Sequence, residues 1–586
     1  MTTTTAARVH VGSVAEVEGR GCMVVPAGGH SVAVFAHEGR LYAVDNRCPH
    51  MGFPLSRGTL RDGLLTCHWH HARFDLEGGG TLDPFADDVR TYQVVVEDGQ
   101  IWLDLSQETA ARVEYWFERL NEGLEQQLGF VLAKAVLALL NAGVSPSEVL
   151  RAGGRYGLRY RARGWGMGMT ILTAMGEALP YLAPEDRPLA IFHGLTHVAA
   201  DTSNQPPRFD LEPLPGSSVP VTRLTDWFRH AVEVRDEDGA ERVLQTAIAR
   251  GARPAELAHM LCAASTDHYY LDAGHVLDFI NKACEYLDLV GWDEARAVLP
   301  ALVGDLCRAQ RAEEQNAWRN PIDLIALLQP YLQRVSSLPS GDAPLGDGFD
   351  DLVWTILDGE PDAIAAAITA RIEAGVRYAE IGGAVAHAGA LRVARFHTSN
   401  EFADWDSVHN TWTSCQALHQ ALLRAPSPEL ARGLYHAAMR IYLDRFLNIP
   451  AARLPDEGNR QSAIGNRNGV VSPNDLLDLL DREQQVNPAA GVVDAVLSRG
   501  DDAALIRALG HAVLREDSDF HNYQTLEAGI RQYETLKEMR PLAARRTLVG
   551  VARYLAAHAP TPRAMRQTYT IALRLQRGED LTVAEE

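Results

Sequence analysis

Up to about Leu105 short apolar runs alternate with glycine, aspartate and proline: Ser31 to Phe35, Leu41 to Val44, Leu64 to Thr66 and Thr91 to Val96. Runs of this length between turn formers predict short strands, and with them a small antiparallel all-β domain over residues 1–105. After Ser106 the pattern changes. Apolar residues recur three and four apart in long Ala-, Leu-, Arg- and Glu-rich stretches such as Glu114 to Ala142, Ala240 to Ala249 and Pro361 to Ala374. That period predicts a large all-α domain over residues 106–586. Polar stretches bearing proline and glycine interrupt it at 201–220, 336–350 and 450–473.

The helical part carries a recurring signal. Gly143, Gly251, Gly375 and Gly500 each follow an apolar helix and stand five residues before an acidic or apolar helix start, at spacings of 108, 124 and 125 residues. Glycine suits the left-handed position that ends one helix before the next begins. We read four degenerate copies of a multi-helix unit, at about 114–220, 221–345, 346–472 and 473–586, stacked to bury shared apolar faces.

Composition narrows the function classes. At 586 residues the chain exceeds one ordinary domain, and its 46% hydrophobic and 22% charged residues are those of a globular protein. No apolar stretch has the length a bilayer span needs. The formal charge of -21 repels phosphate backbones and anionic lipid, which excludes a nucleic-acid role and a membrane partner. The first residues, MTTTTAARVH, lack the charged and apolar regions of a secretory signal, so the expected location is cytoplasmic. Seven cysteines form no disulfide framework and direct attention to what individual thiols do.

Two pairs answer that question: Cys48-Pro49-His50 and Cys67-His68-Trp69-His70. Each stretch offers one thiolate and one imidazole to a shared metal site. Zinc sites of the Cys₂His₂ type keep the two cysteines together and the two histidines together. The interleaving here fits a two-iron, two-sulfide cluster with both thiolates on one iron and both imidazoles on the other. Residues 10–105, through CPHMGFPLSRGTLRDGLLTCHWHHARFDLEGG, resemble a Rieske [2Fe–2S] domain of the ferredoxin and ring-hydroxylating-oxygenase type. The resemblance implies Cys48 and Cys67 on the inner iron, His50 and His70 on the outer iron, and His68 and His71 as non-ligands. Two departures matter. The cluster loops lack the extra cysteines of respiratory Rieske proteins, which places the potential low in the Rieske range. His71 stands where the family usually has glycine.

A Rieske cluster passes single electrons and needs an acceptor. The helical texture departs from the mixed α/β catalytic domain of ring-hydroxylating oxygenases, so acceptor ligands are sought among the 14 histidines after residue 105. Asp272-Ala-Gly-His275 and Asp406-Ser-Val-His409 are both D-x-x-H, in corresponding places of the second and third copies. On a helix Asp and His three apart lie close enough to share an ion, and His268 would extend the same face. His419 follows His409 by ten residues, and His193 and His197 pair at i and i+4. The wording Phe192-His193-Gly194-Leu195-Thr196-His197 bears a short resemblance to the questin-oxidase-like family of helical, Baeyer–Villiger-associated oxygenases. Neither a dinucleotide nor a nucleoside triphosphate motif is present. The expected protein is therefore a Rieske-containing oxygenase. An NAD(P)H-dependent reductase or ferredoxin would charge the cluster, and a mono- or dinuclear iron among these helical ligands would use O2 on a small apolar or aromatic substrate. A homo-oligomer, in which a neighbouring subunit presents its Rieske domain, would serve if the in-chain distance is long. The alternative is a non-catalytic Rieske electron carrier or redox sensor with a helical partner-binding array.

Overall fold

The computed structural model describes residues 8–27, 29–104, 109–161, 164–216, 218–457, 471–577 and 579. They form two compact units, one of Met1–Ser145 with Gln567–Glu586 and the other of Pro146–Arg566. The change of texture expected near residue 105 falls at 105–108, outside the described residues, between a strand ending at Asp104 and a helix opening at Thr109. Residue 217 of the first polar stretch and residues 458–470 of the third also lie outside them.

The first unit holds β1 (Arg8–Ser13), β2 (Cys22–Ala27), β3 (His30–His37), β4 (Arg40–Asp45), β5 (Thr59–Arg61), β6 (Leu64–Thr66), β7 (Arg73–Asp75), β8 (Thr91–Glu97) and β9 (Gln100–Asp104). A six-stranded sheet runs β1-β9-β8-β4-β3-β2, and a three-stranded sheet runs β5-β6-β7. All the ladders are antiparallel, as the short runs predict. Because side chains alternate across a strand, β3 serves two cores at once. Val32 and Val34 pack with Ile101 and Leu103, whereas Ala33 and Phe35 pack with Leu55, Leu65, Phe74 and the two cysteines Cys48 and Cys67. The helices Thr109–Glu125 and Gly129–Asn141 belong to this unit as well.

The second unit is helical. Gly251, Gly375 and Gly500 have φ of 75°, 79° and 81°, and Gly143 in the first unit has 86°. Each follows a helix, as the sequence predicts, and the same hydrogen bonds close them. Val144, Ala252 and Val376, the residues after three of these glycines, donate their backbone N–H to the carbonyls of Leu139, Ala247 and Arg371, the six-residue closure of a left-handed helix end. No helix among the described residues is long and apolar enough to cross a membrane.

One sequence expectation fails here. His268, Asp272 and His275 do not share a helix face. The helix Pro254–Thr266 ends before them, Tyr270, Asp272 and Ala273 take positive φ, and the next helix, His275–Val290, opens only at His275. Gly274, with φ of 96°, leaves no room for a side chain, since a Cβ there would lie 2.8 Å from Ser414 Cβ. The glycine that the D-x-x-H spacing treats as helical is where the chain turns.

Candidate functional site

In the first unit Cys48 and Cys67 sit at the starts of two loops of one design. Cys48 N–H donates to Phe53 O at 2.9 Å and Cys67 N–H to Ala72 O at 2.8 Å, each five residues on. The Cys48 carbonyl accepts from Gly52 N and the Cys67 carbonyl from His71 N, each four residues on. The residue that closes the turn is left-handed in both: Gly52 has φ of 83° and His71 of 63°. That equivalence explains why glycine is usual at position 71, and His71 meets the requirement at a steric cost.

Inside each loop backbone N–H groups point at sulfur, those of His50 and Met51 at Cys48 and those of Trp69 and His70 at Cys67. The close approach of the two side chains holds Cys67 down to about 6, while the same contact and burial push Cys48 up. The His50 and His70 rings lie 4.8 Å apart at 81°. His50 Nδ1 is buried with no hydrogen-bond partner. Burial, and then the neighbouring His70 and Lys134, lower His50 to about 4, so it stays neutral and able to ligate. Two sulfurs backed by peptide donors and a buried, unpartnered imidazole nitrogen make a donor set that fits a mixed-ligand [2Fe–2S] cluster. His68 is instead engaged by Thr59 Oγ1 at 2.6 Å, and His71 closes the turn of its loop through its backbone N–H.

Sequence reasoning missed the residues behind His50. Lys134, 8% exposed, donates to Pro49 O at 3.0 Å and is ion-paired with Asp87. Its ammonium lies 4.6 Å from the Phe130 ring, which in turn contacts His50. Asp87 also accepts from Arg119 Nε at 2.9 Å. A buried lysine in a chain with only three, Lys134, Lys282 and Lys537, was the available signal.

With this geometry in place, comparison with known proteins gives a consistent result. A family model described as Rieske [2Fe-2S] domain matches residues 7–93. The 3-phenylpropionate/cinnamic acid dioxygenase ferredoxin subunit of Photorhabdus laumondii is 40% identical over 79 residues, 13% of this chain and 75% of that protein. The chain belongs to the Rieske [2Fe–2S] family. The ferredoxin component of the naphthalene 1,2-dioxygenase system of Pseudomonas putida is 35% identical over 79 residues, 13% of this chain and 76% of that protein. Among solved structures, the ferredoxin of carbazole 1,9a-dioxygenase from Nocardioides aromaticivorans is 25% identical, with a TM-score of 0.17, over 17% of this chain and all of that one (100%). The family match implies a [2Fe–2S] cluster and one-electron transfer, and the two ferredoxin relatives named above are components of dioxygenase systems.

In the helical unit the structure brings together some predicted residues and disperses others. His275, Asp406 and His409 meet, joined by His521 and His558, which no sequence motif marked. The His409 ring lies 4.9 Å from His521 and 4.8 Å from Tyr554, and His275 stacks on His521 at 6.1 Å. Asp406 accepts from Tyr554 OH at 2.6 Å, and His521 and His558 each approach its Oδ1 at 3.5 Å. Burial disfavours the Asp406 carboxylate, yet the nearby His521 and His558 rings and the Tyr554 hydroxyl hold it below the usual range. Burial, and then His521, lower both His275, to about 4, and His409. His409 Nε2, His558 Nε2 and both His521 nitrogens are buried without a hydrogen-bond partner. Among the described residues no three His, Cys, Asp or Glu side chains converge on one point as a single-ion site.

The other candidates lie elsewhere. His193 Nδ1 bonds to Tyr523 OH at 2.7 Å, and His197 packs on the same ring. His268 is held between Glu313 at 2.9 Å and Glu233 at 3.0 Å, and the Asp272 carboxylate accepts the Gln310 N–H at 3.0 Å. His419 lines a separate cleft.

Proposed function

We propose that this chain is a Rieske-containing oxygenase in which Cys48 and Cys67 would hold the inner iron and His50 and His70 the outer one. The mirrored loops with the unpartnered His50 Nδ1 carry this assignment. When bound, the cluster supplies single electrons drawn from an external NAD(P)H-dependent reductase or ferredoxin. The protein's own part is to keep the His50 imidazole neutral, to direct peptide N–H groups at the sulfurs, and to place the Lys134 ammonium behind His50.

The electron acceptor in this reading is an iron held by His275, His409 and His521, with Asp406 and His558 completing the donor set. Imidazoles together with one carboxylate suit a first-row divalent metal, and unpartnered buried nitrogens are costly unless something satisfies them. Tyr554 would orient Asp406, and the substrate would be a small apolar or aromatic molecule oxygenated with O2. A second reading, an electron carrier or redox sensor whose helices bind a partner, is favoured by the lack, among the described residues of the helical unit, of three donors already converging.

Metal analysis separates the two. Three or four irons per chain support the oxygenase, and about two, with full Rieske absorbance, support the carrier. His409→Ala with His521→Ala should remove the additional iron and leave the Rieske spectrum intact. His50→Ala should do the reverse. Unchanged iron in the first variant would refute the proposed ligands.

A further inference from the structure

A cleft of about 590 Å³ opens in the helical unit, of the size that takes a small organic molecule. Its wall is apolar where Phe349, Leu422 and Leu536 line it, and Met539 stands 73% exposed at its rim. Three polar groups enter this apolar surface. Gln532 is 2% exposed, and its Oε1 accepts the Trp412 Nε1–H at 2.6 Å. An indole N–H only donates, so that bond fixes the amide orientation and leaves Nε2 as a donor, which has no partner. His419 is 6% exposed, and burial lowers it to about 4, so its ring is neutral and keeps one N–H. Among the described residues no hydrogen bond engages that ring. Arg540 stacks its guanidinium 4.1 Å from the centre of the Phe349 ring and meets no carboxylate within ion-pair distance among the described residues.

The neighbouring charges do not replace a ligand. Arg377 is already bound to Glu380 at 2.9 Å, and Asp342 is exposed to solvent. The wall opposite the histidine is kept open by glycine. A Cβ on Gly383 would meet only the His419 ring, at 3.5 Å, so the space beyond it is free for an occupant. A buried amide donor, a neutral imidazole N–H and an unpaired cation facing an apolar wall call for a molecule with an apolar body and an anionic, acceptor-rich end.

We propose that this cleft is a binding site for an apolar carboxylic acid, with the carboxylate received by Arg540, Gln532 Nε2 and His419, and the hydrocarbon body against Leu422, Leu536 and Met539. The site goes beyond the assignment of the chain as an oxygenase and stands whether or not the histidine group holds iron.

The test uses the full chain and 2-naphthoate as probe, with 2-naphthalenemethanol as the neutral analogue, both titrated by calorimetry. Naphthoate should bind saturably and about tenfold or more tightly than the alcohol, the ratio expected for hydrogen bonds to a charged group. Arg540→Gln should bring naphthoate to the level of the alcohol. Gly383→Leu should block both, with unchanged helical circular dichroism and Rieske absorbance. Equal affinity for the two probes, no saturable naphthoate binding, or an Arg540→Gln variant that binds naphthoate as the parent does would each overturn the proposal. Iron content measured on the same samples reports separately on the oxygenase reading.

Discussion

Replacing Lys282 by methionine probes the most heavily charged part of the helical core. The Lys282 side chain is 4% exposed, and its ammonium donates to Glu285 Oε2 at 2.7 Å and pairs with Glu527. Those carboxylates are 2% and 3% exposed, and burial together with their charge pushes Asp278, one helical turn earlier, up to about 7. Methionine fills the same space without charge and leaves two buried carboxylates facing each other. Breaking one partner from a buried pair costs about 3–5 kcal/mol. Arg531 Nε still reaches Glu527 at 3.1 Å and Glu285 at 3.4 Å, so the loss should fall near ~3 kcal/mol, the lower end of that range.

The pH dependence follows from the same contacts. Burial opposes the Glu285 carboxylate, and Lys282, with Arg531 and Asn281, more than offsets it and holds Glu285 below the usual range. Without Lys282 the opposition from burial is less fully met, and the folded-state value of Glu285 rises above its unfolded value. A carboxyl raised in this way keeps its proton in the folded state, so the variant's deficit relative to the parent is smallest at low pH and grows as pH rises through that interval. The deficit relative to the parent should be ~3 kcal/mol at pH 8 and below ~1 kcal/mol near pH 5. Urea unfolding followed by helical circular dichroism measures it as a shift in midpoint. Adding Glu527→Gln to Lys282→Met should restore part of the loss at pH 8. A deficit under ~1 kcal/mol at pH 8, or one independent of pH, would refute the argument.

Other expectations concern the cluster and the buried histidines. Lys134→Met should lower the reduction potential of the Rieske cluster and Asp87→Asn should raise it, each by tens of millivolts in order of magnitude, because the first removes a positive and the second a negative charge behind His50. A redox titration showing no shift, or shifts of the same sign, would contradict this. Burial lowers His193, His387 and His436 to about 3, so each is neutral in the fold while the unfolded chain takes up protons below about 6.5. Their contribution is complete above that pH and is lost as pH falls toward 3, up to about 3 kcal/mol each at pH 4. The helical unit should therefore unfold on acidification well above the carboxylate range. His436→Asn should shift that transition to lower pH, and an unshifted transition would count against the buried-histidine account.

The Rieske half of this protein was legible because its chemistry is local. Cys48 and His50, or Cys67 and His70, lie within one turn of chain, and the turn residues that shape each loop sit beside them. Even the unusual His71 could be placed from the motif, and its left-handed backbone at φ 63° accounts for the family's glycine. The four helix-ending glycines were readable for the same reason, since a helix terminus is decided by its last few residues. The Asp272 motif misled because spacing alone cannot tell a helix from a turn that ends one, and Gly274 was counted as a helical position when its φ is 96°.

The helical histidine group shows what spacing cannot reach. His275, His409, His521 and His558 stand on four different helices spanning almost 300 residues, so no window of sequence contains two of them. Of the predicted pairs, only Asp406 and His409 meet at the group, because they share the helix Phe402–Arg424 at a spacing that places both on one side. Asp406 reaches His521, His558 and Tyr554 only after packing has brought those helices alongside. The same holds for the cleft, where Gln532, His419 and Arg540 come from separate helices or their ends, and the free donor on Gln532 exists only because Trp412 occupies its oxygen. The proposed acceptor group and the proposed cleft both arise from helix packing, and single substitutions at His409 and Arg540 test them more directly than any motif does.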